Sequence, residues 1–197
     1  MGYFAAQYAL ARGHAVTLFN RGKSDPAALP QATHIQGDRH TDLAKLSGQD
    51  FDAVIDTCAY IPREIRETVA QIGDRVGQYI FISSISVFAD STEKHIDEQG
   101  KLNNLSDPTV ETVTGETYGG LKVLCEQALE SLLPGKTTIV RPGLIVGPRD
   151  ASFRFNYWVK RLAEGGEVLA PDSPDLETQF IDARDLGEWV VRLAETK

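Results

Sequence analysis

Apolar and polar positions alternate in blocks along the chain, and the blocks predict two kinds of element. Short apolar runs at 14–19, 33–36, 53–56, 79–83, 138–141, 167–170 and 179–182 read as strands, several of them apolar on both faces. Helical patterns fill the intervals at 4–12, 41–46, 62–75, 118–132, 153–164 and 186–194. Gly13 ends the first helix, and Pro62 suits a first helical turn. Ile65, Val69 and Ile72 then fall on one face. Strands alternating with helices predict a parallel, doubly wound α/β sheet. Ligands in such sheets sit beyond the carboxyl ends of the strands, so chemistry is sought just after Phe19, Asp56, Ile82 and Val140. The stretch 89–116 is long, polar and without a predicted element, a length that marks a lid or binding loop.

Composition narrows the class. A chain of 197 residues holds one domain or a little more. Twenty-eight acids against 20 Lys and Arg give a net charge of −8, which argues against broad binding to nucleic acid or anionic membrane. Hydrophobic residues at 42% and charged residues at 24% exclude disorder and collagen. Two cysteines, Cys58 and Cys125, cannot build a multi-bridge framework, so a reducing, cytoplasmic setting is expected. No apolar run is long enough to span a bilayer. The apolar start at 3–11 lacks the basic flank of a signal peptide, and Ala6 stands where a myristoylation start needs Ser or Thr. His14, His34, His40 and His95 show no metal-ligand spacing, so no metal is expected.

The sharpest chemical signal is Tyr118-Gly-Gly-Leu-Lys122 on a predicted helix. A spacing of four puts both side chains on one face. A free phenol titrates near about 10 and is no base at neutral pH. An ammonium roughly 4 Å away favours the phenolate by about 4 kcal/mol at an effective dielectric near 20. A Tyr–Lys pair can therefore give and take a proton near working pH. Upstream, Ser83 and Ser84 end a predicted strand, where a hydroxyl can bond a substrate carbonyl or alcohol or else cap a turn.

Taken together these segments resemble the short-chain dehydrogenase/reductase superfamily in its extended or atypical form, the NAD-dependent epimerase/dehydratase group. Residues 9–22 look like its first helix and second strand, and Gly37-Asp38-Arg39 like the adenine-side turn after its third. Asp52 to Tyr60 looks like its fourth strand and cofactor-facing end. The group's active-site serine stands four residues before an aromatic, which is Ser84 before Phe88. Tyr118 and Lys122 match its Tyr-x-x-x-Lys, Arg141-Pro142-Gly143 its segment near the nicotinamide, and residues 179–186 a substrate-domain segment. The resemblance implies Ser84, Tyr118 and Lys122 as the catalytic set. It places Gly2, Asn20, Arg21, Asp38, Arg39, Thr57, Cys58, Ala59, Arg141, Pro142 and Gly143, with Tyr118 and Lys122, against NAD or NADP. Asn20-Arg21 replaces the acid that usually holds the NAD ribose, so the choice leans to NADP. A small hydroxy or keto compound, such as a nucleotide sugar, is the expected substrate, and a homodimer is left open.

The same resemblance exposes a gap. Gly2 aligns with the last glycine of the group's phosphate-binding turn, and the strand and glycines before it have no counterpart. The expected organisation is an incomplete dinucleotide-binding unit at 1–148 and a partial substrate-domain segment at 149–197, interleaved with the last strands and helices. That first strand is central in the doubly wound order. Four core aliphatics are worth roughly 6–12 kcal/mol, against a domain's total stability of about 5–15 kcal/mol. The chain is therefore expected to behave as a fragment that binds dinucleotide poorly. The group also contains chloroplast stem-loop RNA-binding proteins and cofactor-sensing regulators, which supply the non-catalytic alternative.

Overall fold

A computed structural model describes the chain apart from residues 24, 26, 91–93, 151, 171–172, 174, 176 and 197, and apart from the side chain of Asp74. Helix α1 (Gly2–Ala11) leads to β1 (Thr17–Asn20) and β2 (Thr33–Gln36). Then come β3 (Phe51–Asp56), α2 (Pro62–Ile72), β4 (Val76–Ile82) and α3 (Tyr118–Leu132). The chain continues through β5 (Thr137–Val140), β6 (Leu144–Val146), α4 (Asn156–Ala163), β7 (Phe180–Asp182) and α5 (Ala183–Glu195). All strand pairs are parallel: β1 with β2, β3 with β4 and β4 with β5, and β6 with β7. The doubly wound order puts a strand between β1 and β3, and no strand among the described residues occupies that place.

Alternation along β4 explains the layering. Tyr79 and Phe81 point into a core with Ile65, Val69 and Ile72 of α2 and Cys125 and Leu129 of α3. Ile80 and Ile82 point the other way, onto Val140, Leu186 and Val190. Successive strand residues face opposite sides, so one strand serves both cores. Helix α5 also packs on α1, where Gly187 is required. A β-carbon there would lie 2.7 Å from the Ala5 nitrogen. At the start of α2 the Glu64 carboxylate reaches back to the amide of Tyr60 at 2.6 Å. That bond satisfies a donor the helix leaves free.

Three expectations are corrected. Residues 167–170 form no strand; no partner strand lies beside them among the described residues, and Leu169 is 92% exposed. The helix expected at 41–46 is a single 3-10 turn, Leu43–Leu46. The chain within 141–148, read from sequence as a motif only, contains β6, which exists because β7 pairs with it. The polar stretch 89–116 is pinned rather than loose. Phe88 bridges Leu102, and the Asn103 side chain donates to the carbonyls of Ser86 (2.8 Å) and Phe88 (3.1 Å). Its residues 91–93 lie outside the described residues.

Candidate active site

The chain just beyond the carboxyl ends of β3 and β4 meets the amino-terminal turns of α3. Strand β4 runs out at Ile82, and Ser83 still donates its N–H to the Val140 carbonyl at 2.7 Å. The Ser83 hydroxyl is buried and finds no partner among the described residues. Ser84 caps the 3-10 turn Ile85–Val87, its Oγ accepting the Ser86 N–H at 3.1 Å. The turn is held from below by the Pro142 carbonyl, which accepts the Ile85 N–H at 3.0 Å.

Two glycines bring α3 against this turn. A β-carbon at Gly119 would sit on the Ser86 carbonyl oxygen, and one at Gly120 would lie 2.5 Å from Leu105 Cγ. The Gly-Gly between Tyr118 and Lys122 thus seats the helix beside Ser84. Lys122 is 2% exposed, and its ammonium donates to the carbonyls of Ala59 and Ile82, both at 2.8 Å. The Phe81 ring lies 4.2 Å away and the Tyr60 ring 5.4 Å. Burial pushes the lysine below its ordinary value, with nearby thiols and carboxylates opposing. The half-buried Tyr118 ring lies 6.4 Å from the ring of Tyr60. Tyr118 and Lys122 therefore share one helix face, and both lie against the Tyr60 ring. The ammonium, however, satisfies itself on one turn carbonyl and one strand-end carbonyl, with no hydrogen bond to the phenol among the described residues. A buried cation takes the acceptors nearest to it.

Tyr60 was not among the sequence candidates. It follows Ala59 directly, it is 44% exposed, and it touches both members of the Tyr–Lys pair. Burial, and then Tyr118, raises its phenol above the ordinary value.

The remaining candidates divide by environment. Gly2 opens α1 beside β3, with the Thr57 side chain 3.5 Å from where a β-carbon would stand. Asn20 closes a turn by accepting the Gly22 N–H at 2.8 Å, and Arg21 is exposed. Asp38 accepts the His40 N–H at 3.0 Å. Gly37 cannot carry a side chain, since a β-carbon would fall 2.5 Å from the Phe19 ring. Gly143 is similarly confined by Gln179.

Two arginines expected at the cofactor are turned inward onto carboxylates. Arg39 donates to Asp56 from Nη1 (3.2 Å) and Nη2 (3.0 Å). Asp56 also accepts the Tyr79 hydroxyl at 2.7 Å and the Cys58 N–H at 3.0 Å. Burial alone would raise this carboxyl; Arg39 overrides it and holds Asp56 below the usual range. Burial, then Asp56, pushes the Cys58 thiol up. Arg141 grips the buried Glu126 through Nε (3.1 Å) and Nη2 (2.7 Å). Among the described residues, no group of three or more His, Cys, Asp or Glu could hold a metal ion, and no helix is long and apolar enough to cross a membrane.

Comparison with known proteins fits this arrangement. A curated relative, the chloroplast stem-loop binding protein of 41 kDa b from Arabidopsis thaliana, is 30% identical over 207 residues. The match takes in 95% of this chain and 50% of that protein, so the chain spans about half the relative's length. Among solved structures, the fold is similar to a UDP-N-acetylglucosamine 4-epimerase from Methanobrevibacter ruminantium M1 in complex with UDP-N-acetylmuramic acid. The TM-score is 0.72 at 17% identity, covering 98% of this chain and 69% of that one. It is likewise similar to a UDP-glucose-4-epimerase from Stenotrophomonas maltophila with bound NAD and formylated UDP-arabinopyranose. There the TM-score is 0.71 at 17% identity, again covering 98% and 69%. The model of the NAD dependent epimerase/dehydratase family matches residues 1–197, and the chain belongs to that family.

Proposed function

We propose that this chain carries the proton-transferring, dinucleotide-facing part of an NAD(P)-dependent oxidoreductase or epimerase/dehydratase. Its substrate is a small hydroxy or keto compound of the nucleotide-sugar class, the class named in the solved relatives. One observation supports the reading: Ser84 caps the turn that Gly119 abuts, and on the same helix a buried ammonium stands one turn from a half-buried phenol.

The roles follow from chemistry. Tyr118 gives and takes the proton at the reacting oxygen. Ser84 orients that oxygen by hydrogen bonding. Lys122 has three N–H donors, and the two carbonyls leave one for a ribose hydroxyl. A bound nicotinamide supplies the hydride. The surroundings fit such a group. The amino end of α1 abuts Thr57, a polarity suited to a pyrophosphate. Strand β1 ends in Asn20 with an exposed Arg21 beyond it, a pair that favours a 2′-phosphate and hence NADP.

Saturation-transfer NMR detects weak ligands and supplies the test. NADPH should receive saturation from the chain, NADH less, and Lys122→Met should reduce both. No transfer to either dinucleotide overturns the reading. In a form that turns over a UDP-sugar, Tyr118→Phe should abolish turnover and spare cofactor binding; unchanged turnover removes Tyr118 from its role.

The name of the Arabidopsis relative supports a second reading, binding of an RNA stem-loop. The net charge of −8 weighs against it. Filter binding across a salt series separates the two, because phosphate contacts give a steep salt dependence.

A further inference from the structure

We propose that Arg39 is a positioning residue and not a dinucleotide ligand: with Asp56 it forms an internal strut that sets the turn 57–60, and through the Ala59 carbonyl it places Lys122. What the placed lysine does rests on the function proposed above; the strut itself does not.

The argument starts from the gap in the sheet. Strands β1 and β2 form one ladder and β3, β4 and β5 another, with no strand pairing between the two among the described residues. Side chains connect their carboxyl ends. Arg39 follows β2, Asp56 ends β3, and their forked contact runs from one ladder to the other. The same guanidinium donates to Thr68 Oγ1 at 3.1 Å and to the Glu64 carbonyl at 3.4 Å, both on α2. It also lies 3.3 Å from Cys58 Sγ. Asp56 collects Tyr79 of β4 and the Cys58 amide. One buried ion pair therefore ties two ladders, a helix and a turn.

The turn it ties is the one that matters for the site. Its first amide bond, Cys58 N–H, ends on Asp56. Its last, Tyr60 N–H, ends on the buried Glu64 carboxylate. Between them Ala59, fully buried, points its carbonyl at the Lys122 ammonium. A planar, bidentate fork fixes geometry in a way a lysine ammonium does not. With its fork spent on Asp56, Arg39 is directed into the protein.

Amide hydrogen exchange on the full chain, read as protection factors, tests this, with saturation transfer from the chain to NADPH measured in parallel. Arg39→Gln should lower protection of the Cys58 and Tyr60 amides at least tenfold while Ile80 and Phe81 in β4 keep theirs. Arg39→Lys, which retains charge and loses the fork, should not restore it. Tyr79→Phe removes one donor to Asp56 and should give a smaller loss at the same amides. It keeps the comparison available if Arg39→Gln does not fold. Unchanged protection at Cys58 and Tyr60 in the folded variants overturns the strut, and unchanged protection with lost NADPH transfer in Arg39→Gln makes Arg39 a direct ligand. If protection falls as expected but even the unaltered chain shows no transfer to NADPH, the strut stands and the dinucleotide reading falls.

Discussion

Replacing Glu126 with leucine should destabilise the fold by about 3 kcal/mol, and replacing Arg141 as well should restore most of it. The carboxylate is 3% exposed and the Arg141 side chain 17%. Both carboxylate oxygens are engaged, at 3.1 and 2.7 Å. Removing one partner of a buried pair costs roughly 3–5 kcal/mol, because the other charge stays buried without compensation. Two contacts soften the loss here. The Glu98 carbonyl accepts Nη1 at 3.2 Å, and the Phe88 ring lies 5.2 Å from the guanidinium carbon. These and the residual solvent exposure set the lower end of the range. With a urea dependence of about 1–3 kcal/mol per molar, the Glu126→Leu midpoint should fall by roughly 1–3 M. The double variant Glu126→Leu/Arg141→Met removes both charges and keeps apolar volume, so its midpoint should return toward the original. Far-UV circular dichroism across a urea series reads all three. A single-variant shift below about 0.3 M, or a double variant no better than the single, would refute the ion pair as a buried, coupled unit. Arg141→Met alone also separates scaffold from ligand. Arg141 leads into Pro142, whose carbonyl supports the Ser84 turn. A scaffold residue lowers the urea midpoint and leaves the ratio of NADPH to NADH transfer unchanged.

Alanine normally stabilises a helix over glycine by about 1 kcal/mol, but Gly119→Ala should cost roughly 1–3 kcal/mol. Its β-carbon meets the Ser86 carbonyl, whereas at Gly120 it meets the Leu105 side chain, which can turn aside. Thermal melts should therefore rank Gly119→Ala below Gly120→Ala, and a rise in Tm for Gly119→Ala contradicts the packing. Iodoacetamide near pH 8.5 should label the exposed Cys58 and spare Cys125, which is buried and pushed up to about 12; mass spectrometry showing equal labelling would rule this out. The Asp56 carboxyl lies below its unfolded value of about 3.9. Its stabilisation is therefore fully present above about pH 4 and is lost as pH falls through the folded value. Urea midpoints against pH should show a shallower acid loss in Asp56→Asn than in the unaltered chain, and identical slopes would exclude Asp56 as a source.

Strands with apolar runs and helices with a clear stripe were legible because their signal is local. Tyr79, Ile80, Phe81 and Ile82 announce a strand covered on both sides, and the structure covers them so. What failed to show was decided by partners distant in sequence. Residues 144–146 become a strand because Phe180–Asp182 lies beside them, and residues 167–170 do not because no strand among the described residues does. At the site, the spacing from Tyr118 to Lys122 gave the shared face but not the acceptors of the ammonium. Those are main-chain carbonyls of Ala59 and Ile82, and a carbonyl carries no letter in the sequence. Family resemblance set Arg39 and Arg141 at the cofactor, yet each has a forked bond to an acid that spacing alone did not single out. One of the two acids did leave a trace. Lys122, Cys125, Glu126 and Leu129 form a single stripe at steps of three and four, and all are buried. A charged residue on a core stripe must be paired or coordinated inside. Glu126 thus required a cation from elsewhere, and a strand ending in arginine beside α3 is where one can arrive without crossing the core. The sequence states that such a partner exists; only the packing of β5 against α3 decides that it is Arg141.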